Sequence, residues 1–99
     1  MNSNEVRDFV NAQLGDERKN KFGWDFSDCL IDPPQLITIK SNNEFAYESW
    51  LIFDDDETGN RKGYLICFNE DNQSFDLVTG KEGISVSTCF NFLEAINGL

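Results

Sequence analysis

The chain has 99 residues, 39% of them hydrophobic and 13% aromatic, with nine Phe and two Trp. That is one domain with material for a single modest core, and it is too apolar for a disordered segment. The formal net charge of −10, from 18 acidic and 8 basic residues with no His, repels nucleic acid and anionic membranes and draws basic proteins inward.

Net charge speaks first to solubility, so where it lies matters more than its size. Residues 1–24 hold four bases (Arg7, Arg18, Lys19, Lys21) and four acids (Glu5, Asp8, Asp16, Glu17). Residues 25–99 hold 14 acids and four bases, so the whole excess falls there.

In chain order, Ser3 or Asn4 can cap a first helix over about residues 4–14, with Val6, Phe9, Val10 and Leu14 on one face and Gly15 as its stop. Asp16 to Lys21 is a mixed-charge loop. Phe22-Gly23-Trp24-Asp25-Phe26 puts three aromatics in five residues. They either tuck under the core edge or anchor a partner, and the weight of aromatics in small cores favours the first. Asp32-Pro33-Pro34 reads as a break, since neither proline can donate to a ladder.

Strand-like runs follow at about residues 36–40, 45–53, 64–68 and 75–79, separated by Asp, Asn, Gly and Ser. Residues 46–78 form an antiparallel meander with acidic connections around which the chain is organised. Trp50 and Ile52 oppose Leu51 and Phe53, and Tyr64, Ile66 and Phe68 oppose Leu65 and Cys67. Strands apolar on both faces need both covered. Helices would cover one; the other would be curled on itself, wrapped by residues 22–35, or used by a partner. Ile84-Ser85-Val86 is a fifth short strand or the approach to a last helix. Ser87 or Thr88 would cap that helix, with Cys89, Phe92, Leu93 and Ile96 on its face and Gly98 at its end. The fold class is α+β: an antiparallel sheet of four or five strands with a helix at each end, in one domain spanning residues 1–99.

Cys29, Cys67 and Cys89 are odd in number and lack CxxC spacing, which fits reduced thiols in a cytoplasmic protein. The first residues lack a signal-peptide pattern, and no apolar run approaches the ~20 residues that span a bilayer. Asn72-Gln73-Ser74 matches a glycosylation sequon but reads as a turn.

Little catalytic chemistry is on offer. Counted from Asp54, the loop places Asp54, Asp56 and Thr58 at positions 1, 3 and 5 of a calcium loop and Gly59 at 6. Position 12 is Leu65, so the bidentate carboxylate is missing. Zinc lacks its paired ligands, nucleophilic catalysis lacks its His, and no phosphate-cradling glycine motif occurs. A carboxylate pair among Asp25, Asp28, Asp32, Glu44 and Glu48 is formally open to acid–base work, but nothing in the sequence buries one. No catalytic residue, metal or cofactor is expected, and the protein reads as a binding module rather than an enzyme.

Trp50-Leu51-Ile52-Phe53 and Gly63-Tyr64-Leu65-Ile66-Cys67-Phe68, in a small acidic chain without His, form a central aromatic strand pair. With the closing run Phe90-Asn91-Phe92-Leu93-Glu94-Ala95-Ile96-Asn97-Gly98-Leu99, residues 45–99 resemble bacterial immunity proteins of polymorphic-toxin and contact-dependent inhibition systems. That resemblance implies tight binding to a cognate toxin domain, often a basic nuclease, whose active site is blocked. It transfers no residue by position. The charge pattern supplies the candidates: Asp54, Asp55, Asp56 and Glu57, helped by Glu70 and Asp71, would meet the partner's Lys and Arg. Trp24, Tyr47 and Trp50 would be its desolvated anchors. Two rival readings are a DNA mimic that occupies a nucleic-acid-binding protein, and a small adaptor or homodimer that pairs through a two-sided apolar sheet.

Overall fold

The computed structural model describes residues 1–43, 45–56, 58 and 60–98. Helix α1 spans Ser3–Leu14. Its cap is Asn2, upstream of the expected Ser3 or Asn4, because Asn2 alone has a Glu three residues on. The Asn2 side chain accepts the Glu5 N–H, and the Glu5 carboxylate accepts the Asn2 N–H, both at 2.9 Å. This reciprocal box satisfies two donors that a helix start leaves open. Val6, Val10 and Leu14 are buried as their spacing predicts, and Gly15 ends the helix at φ 55°, where glycine meets no steric penalty.

Five strands follow: β1 Leu30–Lys40, β2 Ala46–Asp54, β3 Tyr64–Asn69, β4 Ser74–Thr79 and β5 Ile84–Cys89, then helix α2 Phe92–Asn97. The first strand begins before the two prolines rather than after them. Its pairing with β2 is irregular between Leu30 and Gln35, so Pro33 and Pro34 sit where no regular ladder donor is required. The fifth strand also runs further than expected. Leu77, Asp76 and Phe75 of β4 pair with Ser87, Thr88 and Cys89, which claims Ser87 and Thr88 for the sheet. The cap of α2 passes to Asn91, whose side chain accepts the Leu93 N–H at 2.8 Å.

Consecutive strands pair antiparallel, and the meander closes into a barrel in the order β1-β2-β3-β4-β5. An odd number of alternating strands leaves the first and last running the same way. The closure is accordingly parallel and confined to Lys40 and Ile84, with the Lys40 N–H donating to the Gly83 carbonyl at 2.8 Å. Closure removes most of the sheet edge that an open meander would expose.

It also explains the two-sided strands. Ile66 and Phe68 of β3, and Phe75 and Leu77 of β4, join Val6, Val10 and Leu14 of α1 and Phe92, Ala95 and Ile96 of α2 in one cluster. Alternate residues Leu65, Cys67 and Val78 join Ile39 and Leu51 in a second. A five-stranded barrel has no room for a helix, so the first cluster is the outer one and the second fills the inside. A register shift between Leu51 and Phe53 lets Ile52 and Phe53 both reach the outer cluster. Among the described residues, no helix is long and apolar enough to cross a membrane.

Candidate functional site

A concavity arises from a mismatch in strand length. β2 starts at Ala46 but pairs with β3 only from Trp50 to Asp54. Ala46–Ser49 therefore project past the β3–β4 turn as an arm, still paired to β1 through Lys40 and Ala46. Between the arm and the turn lies a cleft of about 570 Å³. Its walls bring together four of the candidate residues, Tyr47, Trp50, Glu70 and Asp71, with Glu48 and Asp76. None of its described lining residues is Lys or Arg.

Each wall is fixed locally. Asn69 shapes the turn, its side chain accepting the Asp71 N–H at 3.0 Å, and Gln73 adopts a left-handed φ of 50° to complete it. Ser49 ties the arm to the barrel by donating to the Phe68 carbonyl at 2.9 Å. At the floor, Asp76 is only 4% exposed. It sits on the inward face of β4 with Val78, where an aliphatic residue would be expected. One carboxylate oxygen accepts the Tyr47 hydroxyl at 2.9 Å and the other accepts the Thr88 hydroxyl at 2.8 Å. These bonds run from β2 and β5 to β4, so a single carboxylate joins the arm to the opposite side of the barrel.

Burial, together with the Asp76 carboxylate beside it, pushes the Tyr47 hydroxyl up to about 12. Tyr47 thus remains a neutral donor at neutral pH. Burial likewise pushes the Cys67 thiol up to about 12, which leaves it a core group and not a nucleophile. At the rim, the α-ammonium of Met1 donates to Glu70. That bond holds the Glu70 carboxyl below its ordinary value, with a smaller contribution from Trp50. The Trp50 indole N–H is itself buried and closes no hydrogen bond of normal geometry.

The second acidic stretch is used differently. Asp54 is 2% exposed and accepts the Asp56 N–H at 2.9 Å. Asp55 accepts the Tyr64 N–H at 2.9 Å, while its own N–H donates to the Tyr64 carbonyl at 3.0 Å. Asp56 accepts both the N–H and the hydroxyl of Thr58. Burial raises the Asp55 carboxyl, and the Thr58 bonds lower that of Asp56. These side chains fold their own loop. Glu57 lies outside the described residues, as does Gly59 of the calcium spacing. Among the described residues, no group of three or more Cys, Asp or Glu side chains converges on a metal site.

Trp24 lies apart from the cleft. It is half-buried in the outer cluster, edge-on to Phe53 at 6.1 Å and tilted against Phe26 at 6.5 Å. Reading from sequence passed over Asp76 and Thr88. The available signal was an acid inside Phe75-Asp76-Leu77-Val78, an otherwise apolar strand. Glu48, weighed only as one of a catalytic pair, emerges as part of the cleft wall. Comparison with protein-family models, curated proteins and solved structures finds no match to this chain.

Proposed function

We propose that this protein is an acidic binding module that docks a basic protein through the cleft between the β1–β2 arm and the β3–β4 turn. The partner would be a toxin domain of nuclease type, which makes the protein a bacterial immunity protein. One observation carries the reading. Tyr47 and Trp50 share a concavity with Glu48, Glu70, Asp71 and Asp76, and no described basic residue lines it. Aromatic anchors ringed by one sign of charge suit a partner surface rich in Lys and Arg.

The two kinds of residue would divide the work. Exposed carboxylates at the rim set the encounter rate, which steering raises by about 10- to 1,000-fold and salt suppresses. Each exposed pair adds only about 0–1 kcal/mol of affinity. Residence would instead depend on Trp50 and Tyr47 being covered and dried. The Asp54–Asp56 stretch contributes its field from a distance, since its carboxylates already hold backbone N–H groups.

The test is co-expression with a panel of basic nuclease-toxin domains, followed by assay of nuclease activity and of binding kinetics. Inhibition by one member, with an association rate that falls with salt and drops in Glu70→Gln/Asp71→Asn, is the expected result. Inhibition that survives both this pair and Trp50→Ala would move the binding surface elsewhere. Failure to bind or inhibit any member would sink the toxin assignment.

A further inference from the structure

We infer that the cleft is a receptor for one arginine side chain of the partner, with Asp76 as the anchor at its floor and Tyr47 and Thr88 as the clamp that holds Asp76 ready. The inference rests on the reading above, and it adds the chemistry of the group recognised.

Asp76 is a buried carboxylate that accepts bonds from two hydroxyls. Among the described residues it has no ion pair. Burying a charge without a counter-charge is costly, and two hydroxyl donors replace only part of its hydration. A folded protein tolerates that arrangement most readily where a cation completes it. Asp76 lines the cleft, so the missing cation would arrive from outside.

Two further contacts describe the rim and wall. The α-ammonium of Met1, 69 residues away in the chain, already sits on Glu70 at the rim. The Trp50 indole N–H is buried at the same wall. It faces Glu70 closely enough to lower that carboxyl, so the wall opposite an incoming cation is a carboxylate backed by an aromatic ring.

Arginine fits this setting better than lysine. A guanidinium is planar, spreads its charge over five N–H donors and is more weakly hydrated than an ammonium. It can bond carboxylates at floor and rim together while lying against an aromatic wall. Lysine brings a compact, strongly hydrated charge that would sooner stay at the rim.

The experiment is an NMR titration of the full chain with agmatine, the decarboxylated analogue of arginine, and with putrescine, which has an ammonium in place of the guanidinium, as the control of equal charge. We expect saturable shifts at the Trp50 indole N–H and the Thr88 amide, at millimolar agmatine and at several-fold higher putrescine. Asp76→Asn, nearly isosteric, should weaken agmatine by roughly tenfold, as loss of a charge-assisted contact does. Should that variant fail to fold, Thr88→Val provides the same test through the clamp, with a loss of about threefold and putrescine unaffected. Absence of a saturable shift in the wild-type chain, or equal agmatine binding by folded Asp76→Asn, would overturn the inference. A basic toxin domain bound normally by a chain that ignores agmatine would remove the arginine receptor and leave the docking proposal standing. Agmatine binding with no toxin domain inhibited would do the reverse.

Discussion

The two acidic turns of this protein carry similar charge and use it in opposite ways. At the β2–β3 connection the carboxylates of Asp54, Asp55 and Asp56 accept N–H groups from Asp56, Tyr64 and Thr58. The loop is also pressed against the β4–β5 turn, where the Gly80 N–H donates to the Gly63 carbonyl at 2.7 Å. At the β3–β4 turn the backbone is shaped by Asn69 instead, which leaves Glu70 and Asp71 at the rim of a cleft. A carboxylate that builds its own turn has little left to offer a partner. One relieved of that task by a neighbouring Asn can face outward, as Asp71 does, or pair elsewhere, as Glu70 does with the Met1 α-ammonium.

That contrast can be broken from either side. The largest effect should come from Trp50→Ala, which removes the cleft wall. Affinity for a basic partner should fall by about 2 kcal/mol or more, as at interface hot spots, measured by calorimetry. The next should come from Gly80→Ala. A Cβ there would collide with the carbonyls of Arg61 and Gly63, so overpacking should cost about 1–3 kcal/mol of stability in a denaturant titration. Asp55→Ala should destabilise less, by about 0.5–1.5 kcal/mol, through loss of its bond to the exposed Tyr64 N–H. Gly80→Ala should leave the association rate unchanged, and Asp55→Ala should lower it by much less than neutralising the rim.

Glu70→Gln/Asp71→Asn should show the mirror image. The association rate at low salt should drop by about tenfold and converge with wild type at high salt. Stability should move by no more than about 0.5 kcal/mol, because the Met1–Glu70 pair is exposed. A fall in the on-rate on loop neutralisation but not on rim neutralisation would reverse the assignment of the two turns.

The smallest effect sharpens the comparison by pH. Tyr47, ordinarily near 10, is raised to about 12 in the folded chain, as is Cys67 from about 9. A raised value means the folded state holds the proton more tightly. The stabilisation is complete below pH 9 and is lost as pH climbs through 10 toward 12. Melting temperature should therefore decline over that interval, and Tyr47→Phe should flatten the upper part of the decline. The β2–β3 loop responds at the acid end instead. Asp56 is lowered there, so its contribution is present above its ordinary value and fades as pH falls below it.

Much of the fold is legible in the sequence. The period-four spacing of Val6, Val10 and Leu14 gave α1, and the aromatic runs around Trp50 and Phe68 gave the meander, because each signal is carried within a single element. Boundaries were less legible where a neighbour decided them. Ser87 and Thr88 are good caps by type, yet pairing with β4 took them into β5 and left the role to Asn91. Pro33 and Pro34 look like a stop, but β1 crosses them because its ladder is irregular there. The site was half legible: Tyr47, Trp50, Glu70 and Asp71 could be named by type, but not that they meet, nor that Asp54 is buried.

What the sequence determined by itself is chemistry and periodicity: an acidic chain without His, strands apolar on both faces and a helix at each end. These depend on residue identity and short-range spacing. The tertiary structure alone decided that the meander closes through Lys40 and Ile84, that β2 outruns β3, and that Tyr47 and Thr88 converge on Asp76 from strands far apart in the chain. Strand register sets those outcomes, and a shift of one residue turns every side chain to the opposite face.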